Sequence, residues 1–151
     1  MERKIVNSLI ACEKAIQIPP KTAMTQDQRN AFTLRNDFTC ISEDGTVFDV
    51  FMRMNTNLPY LFSIGLRFHA ENRIFTLCRY NGKHPHRNKI ADRKQLFDYH
   101  IHRLYDEQLT NGTDDNLDAD ATDRYASFHD ALRAFLQDCH IQDWQTYFHD
   151  S

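Results

Sequence analysis

The sequence predicts an α+β fold, in which a mostly antiparallel sheet of about five strands is flanked by N-terminal and C-terminal helices. Apolar residues recur at helical spacing near both ends, and the middle of the chain alternates apolar and polar residues with period two. The strand-like segments also follow one another without intervening helices. A run of strands suits an antiparallel meander, whereas a doubly wound parallel sheet needs strands and helices to alternate. At 151 residues the chain has the size of a single domain, residues 1–151.

Ile5, Leu9, Cys12 and Ile16 share a helical stripe and predict an N-terminal helix over residues 2–17, ended by Pro19-Pro20. Thr25 with Gln28 fits a capping box for a short second helix. The sheet is expected over residues 38–104. Asp44-Gly45 separates Phe38–Glu43 from Thr46–Met54 as a hairpin. Tyr60–His69 places Phe62, Ile64, Leu66 and Phe68 on one face, and Ser63, Gly65, Arg67 and His69 on the other. Arg73–Tyr80 returns as a strand, and Leu96–Leu104 is the last one after a polar loop over 81–95. Residues 106–122, carrying Asp114, Asp115, Asp118 and Asp120, read as a solvated acidic linker. They lack the glycine and closing glutamate of a calcium loop. A C-terminal helical region is expected over 123–149, capped at Thr122, with Tyr125, Phe128, Leu132, Phe135 and Leu136 as its apolar stripe. Trp144, Tyr147 and Phe148 complete a short last element, and His129, His140 and His149 are expected at the surface.

The hydrophobic fraction of 41% and charged fraction of 26% are those of a globular protein. A net charge of −3 argues against a uniformly basic nucleic-acid binder and leaves open a local basic patch. No apolar run has bilayer-spanning length, and the N-terminus has no signal-peptide core, so a cytoplasmic location without membrane contact is expected. Cys12, Cys40, Cys78 and Cys139 are too dispersed for a zinc ribbon or a disulfide framework.

One segment concentrates chemistry: RYNGKHPHRNKIADRKQLFDYHIHR, from Arg79 to Arg103. It holds the pairs His84/His86 and His100/His102 among seven lysines and arginines. On a strand, His100 and His102 project to one face about 7 Å apart, together with Asp98, while Phe97, Tyr99 and Ile101 turn to the core. If neighbouring strands keep their pattern, Arg67, His69 and Arg53 share the histidine face. Histidine moves protons near neutral pH and arginine stabilises charge developing on phosphorus, so this surface suits phosphodiester cleavage. Metal chelation by an H-x-H pair, with Asp98 completing the site, is the competing chemistry. The surrounding cations argue against it, and the expectation is no metal and no cofactor. The bland alternative is that these are ordinary solvent-facing sheet residues.

The pieces Arg79–Gly82 (RYNG), His86–Asn88 (HRN) and His100–Arg103 (HIHR), with the aromatic helix Tyr125–Phe135, resemble a family of small bacterial and mobile-element proteins defined only as an uncharacterised domain. That resemblance covers roughly the second half of the chain and implies a recurrent unit without an established activity. A looser architectural similarity is to ribonuclease toxins of toxin–antitoxin systems, which combine terminal helices, a short antiparallel sheet and metal-free His/Arg/Tyr sites.

The resulting expectation is a small, metal-independent, RNA-directed endonuclease of bacterial toxin type. His100 or His102 would take the 2′-hydroxyl proton, and His84 or His86 would protonate the leaving oxygen. Arg87 and Arg103 would hold the phosphate, Arg79 and Arg67 would add to substrate binding, and Tyr80 or Tyr99 would stack a base. Expected partners are RNA and a protein such as an antitoxin or a defence-system target. The alternative is a non-catalytic acidic module, of phage or mobile-element inhibitor kind, whose aspartates imitate nucleic acid.

Overall fold

The computed structural model describes residues 1–114 and 117–148. In chain order the elements are α1 (Lys4–Ala11), β1 (Lys14–Ile18), β2 (Thr25–Gln26), β3 (Thr33–Ser42), β4 (Val47–Asn55), β5 (Phe62–His69), β6 (Ile74–Asn81), β7 (His86–Arg87), β8 (Gln95–Leu96), β9 (His100–Arg103), α2 (Asp106–Asn111), β10 (Ala119–Ala121), α3 (Phe128–Asp138) and α4 (Trp144–Tyr147). The fold is α+β, as the patterning predicts. The antiparallel sheet has eight strands, ordered β1-β3-β4-β5-β6-β9-β10 with β2 pairing beside β3, and β7 and β8 form a separate ribbon. No described helix is long and apolar enough to cross a membrane.

The β3–β4 hairpin turns where Asp44-Gly45 predicts. Gly45 takes φ +88°, and the Asp44 carboxylate accepts from the backbone and hydroxyl of Thr46 at 3.1 and 2.8 Å. From there the sheet has two different faces. Phe38, Val50, Ile64, Leu66 and Tyr80 lie on one, buried beneath Val6 and Ile10 of α1 and Leu132, Phe135 and Leu136 of α3. The opposite face carries Asp37, Asp49, Phe51, Arg53, Gly65, Arg67, Arg79, Asn81, His100 and His102, brought side by side by the strand register.

The ends of the chain depart from expectation. The helix expected over 2–17 stops at Ala11, well before Pro19-Pro20, and Ile16 belongs to β1. Its buried stripe is Val6 and Ile10, and Ile5 is 58% exposed. The physical reason lies in Lys14, which is fully buried. Its ammonium donates to the carbonyls of Ile10 (2.7 Å), Cys12 (2.8 Å) and Cys139 (2.9 Å), collecting the chain at the C-terminal ends of α1 and α3. Thr25 starts a strand rather than capping a helix. The sheet begins at β1, not at residue 38. The expected strand 96–104 is split between β8 and β9, leaving Phe97 70% exposed.

The acidic segment 106–122 is not a linker. It forms α2 and the edge strand β10, and the carboxylates of Asp106, Asp114 and Asp118 accept backbone hydrogen bonds. Asp106 takes the N–H groups of Ile5 and Val6 at 3.0 and 2.9 Å, capping the start of α1, and Asp114 takes that of Thr76 at 2.8 Å. Buried Asp118 takes those of Lys89, Ile90 and Ala91. The expected region 123–149 yields α3, capped by Ser127 rather than Thr122, with the Ser127 hydroxyl accepting from Asp130 N at 3.1 Å. Asp115 and His149 lie outside the described residues.

Candidate functional site

Four histidines from two separate segments converge on the polar face. Register sets His100 opposite Asn81 and His102 opposite Arg79, so both β9 histidines lie over the β6–β9–β10 end of the sheet. The loop after β6 folds over them and brings His84 and His86. Ring centroids lie 4.7 Å apart for His84–His100, 4.4 Å for His86–His102, 5.1 Å for His100–His102 and 5.8 Å for His86–His100. The loop is launched by Gly82, where a Cβ would collide with the Tyr60 carbonyl oxygen. The backbone instead runs close, with Lys83 N donating to that oxygen at 2.9 Å.

Two polar side chains fasten the loop. Asn88, buried, bonds the backbone of Ala119 twice, donating to its carbonyl and accepting from its N–H at 2.8 Å each, in the manner of an added strand residue. Asp118 accepts three successive loop N–H groups at 2.8–2.9 Å and the Tyr105 hydroxyl. Neither side chain stands out in the sequence as a site residue. Asn88 lies in the HRN piece, and Asp118 is one aspartate in an acidic run.

The imidazoles are held in a defined tautomer. His100 Nδ1 lies 2.7 Å from the Asp98 carbonyl and His102 Nδ1 lies 3.1 Å from the Asp118 carbonyl. A carbonyl only accepts, so both Nδ1 atoms carry the proton and both Nε2 atoms present lone pairs. His100 Nε2 and His86 Nε2 are buried without a hydrogen-bond partner. Burial, followed by repulsion from His100, His86 and Arg79, pushes the His84 imidazolium down to about 4. Burial and the neighbouring His86 and His100 push His102 to about 3. Burial also lowers His100, against the pull of the Asp98 carbonyl. His84 and His102 are therefore uncharged at neutral pH.

Arg79 neighbours the cluster. Arg53, Arg67 and Arg79 place their guanidinium carbons 5.5, 4.9 and 5.3 Å from the ring centre of Phe51, which lies over Gly65. Arg53 pairs with Asp37 at 3.1 Å and Arg67 with Asp49 at 3.2 Å, and burial lowers the Arg79 guanidinium. A cleft of about 290 Å³ opens here, with Arg53, Ser63, Arg79, Asn81 and His84 in its wall.

The structure unites His84, His86, His100 and His102, with Arg79 and Arg67 on the same face. It separates the others. Tyr80 is buried on the opposite face, donating to Asp138 and stacking on Tyr125, so it cannot stack a base. Arg103 alternates with His102 and faces away, where its charge acts on Asp138. Arg87 is exposed on β7 and donates to the Arg93 carbonyl at 3.1 Å. Asp98 contributes its carbonyl, not its carboxylate. His100 and His102 are buried rather than displayed, at 0% and 3% exposure, because the loop covers them. The period-two pattern separates the two sheet faces, but it carries no information about what covers the second.

Among the described residues, His84, His100 and His102 each offer a ring nitrogen within 4.8 Å of the others, which makes them a set of side chains able to hold a metal ion. No family model matches the chain, and no curated protein or solved structure matches it.

Proposed function

We propose that the protein is a phosphodiester-cleaving enzyme directed at RNA, with its reacting centre at the histidine cluster beneath the Arg53–Arg79 cleft. The observation that supports this most is the adjacency of uncharged imidazoles and two guanidiniums at one opening. His84 belongs to both the cluster and the cleft wall. Arginine there neutralises a phosphate and the charge that grows on it in the transition state. The cleft's small volume suits a phosphate and its sugar on a flexible strand. RNA carries its own nucleophile, the 2′-hydroxyl, so the protein need supply only acid–base groups and charge stabilisation.

The roles shift from those expected. His100 and His102 are buried and uncharged, which fits them poorly for carrying protons to and from a polymer. His84 is the imidazole at the cleft wall. Arg53 and Arg79 replace Arg87 and Arg103 as phosphate ligands.

The acidic-mimic alternative loses support because Asp114 and Asp118 are engaged in backbone hydrogen bonds.

Cleavage of a labelled single-stranded RNA tests the proposal, with and without added divalent transition metal. Wild type should cleave, and His84→Ala and Arg79→Met should each slow cleavage by roughly a hundredfold. A folded wild type that cleaves no RNA in either condition would refute it.

A further inference from the structure

We infer that His84, His100 and His102 form a binding site for one divalent transition-metal ion, zinc being the reference case. The inference deepens the proposed function by naming that site's cofactor, and rests on it only for the ion's role, since binding is measurable without cleavage.

Three observations converge. The three nitrogens lie within 4.8 Å of one another, close to a common coordination sphere. Two ligands on one tetrahedral zinc stand roughly 3.3 Å apart, given metal–nitrogen bonds of about 2.0–2.1 Å. His84 is half-buried on a loop, where it can move toward His100 and His102 on β9.

The orientation is that of ligands. Each β9 histidine gives its Nδ1–H to a backbone carbonyl, Asp98 for one and Asp118 for the other. Metal-bound histidines almost always use their second nitrogen this way, which fixes the tautomer and aims the free lone pair at the ion.

The third observation is an energetic debt. His100 Nε2 is buried and makes no hydrogen bond. A buried polar atom without a partner is unfavourable, and an ion removes that cost.

The cations that argue against metal in the sequence are directed elsewhere. Lys83, Arg87, Lys89, Arg93 and Lys94 are all exposed. Arg79 alone acts on the histidines by charge, where it can hold an anion beside the ion. Three imidazoles without carboxylate or thiolate suit zinc, nickel, cobalt or copper rather than magnesium or calcium. Three protein ligands leave a position for water or a phosphoryl oxygen, as in hydrolytic zinc sites. His86 packs against His102 but lies outside the three-nitrogen set.

The test uses the full chain, without an affinity tag containing histidine, stripped by chelator and titrated with Zn²⁺, Co²⁺, Ni²⁺ and Cu²⁺ in separate calorimetric runs. Elemental analysis then gives the stoichiometry. One ion per chain is expected, with affinity reduced at least tenfold in His84→Ala and unchanged when the exposed His129 and His140 are both replaced. His84→Ala is decisive because His100→Ala and His102→Ala can unfold the protein. A folded wild type that binds none of the four ions overturns the inference, as does undiminished binding by folded His84→Ala. Ion binding without RNA cleavage sustains the site and defeats the nuclease reading. Chelator-resistant cleavage by an ion-free protein sustains the nuclease reading and overturns the ion's role in it.

Discussion

His102 Nδ1 donates to the backbone carbonyl of Asp118 at 3.1 Å, while the Asp118 carboxylate accepts the N–H groups of Lys89, Ile90 and Ala91. One residue, just ahead of the edge strand β10, thus orients an imidazole of the cluster and fastens the loop that covers it. Asp118→Ala should destabilise the protein by about 3 kcal/mol, because three partly buried loop N–H groups and the buried Tyr105 hydroxyl lose their acceptor together. Urea unfolding measures it, and a change within about 0.5 kcal/mol, the scatter of ordinary surface substitutions, would show that the loop is held by other means.

The same carboxylate predicts an acid response. Burial by itself raises the Asp118 carboxyl, but the Tyr105 hydroxyl and the three loop N–H groups outweigh it and bring it down to about 2 from an ordinary 3.8. A depressed folded value means that stability is present above the unfolded value and is lost as pH falls through the folded one. The stability gap between wild type and Asp118→Asn should therefore be full above roughly pH 4 and shrink between pH 4 and 2. A gap constant down to pH 2 contradicts this.

The histidines should separate by burial. His100→Ala and His102→Ala remove buried, hydrogen-bonded rings and should each cost about 1–3 kcal/mol, whereas half-buried His84→Ala should cost under about 1 kcal/mol. Metal-free protein in chelator gives the clean comparison by chemical denaturation. Equal losses for all three would contradict the burial difference.

Gly82→Ala should be disruptive although alanine is small. Its Cβ would overlap the Tyr60 carbonyl oxygen and touch the Phe62 ring at 3.0 Å, and a backbone oxygen in a strand-end hydrogen bond cannot yield cheaply. A destabilisation of about 1–3 kcal/mol is expected. Gly45→Ala supplies a contrast, since nothing lies within 4 Å of a Cβ there and its cost comes from the positive φ alone.

Lys14→Met keeps most of the buried stem and removes the ammonium from three carbonyls. The loss should be about 2–4 kcal/mol, with the contact between α1, β1 and the C-terminal end of α3 opening first. Hydrogen exchange at Gln142, whose N–H donates to the Lys14 carbonyl, should accelerate. Unchanged exchange there would place the stability of this corner elsewhere.

The sequence by itself determined the fold class, the β3–β4 turn and the division of the sheet into an apolar and a polar face. Period two and a positive-φ glycine are local properties, and local patterning sets them. Tertiary structure decided what required distant partners. Lys14 reads as a charge interrupting an apolar stretch, and only the carbonyl of Cys139 beside those of Ile10 and Cys12 makes it a buried fastening. Asp106, Asp114 and Asp118 read as a solvated run, because a carboxylate that caps a backbone and one that faces water look alike in sequence. The two H-x-H pairs are visible as pairs. Their convergence depends on a loop held by Asn88 and Asp118 against a strand that follows it in the chain, and that closure turns a polar sheet face into a cluster of four imidazoles whose β9 pair is buried.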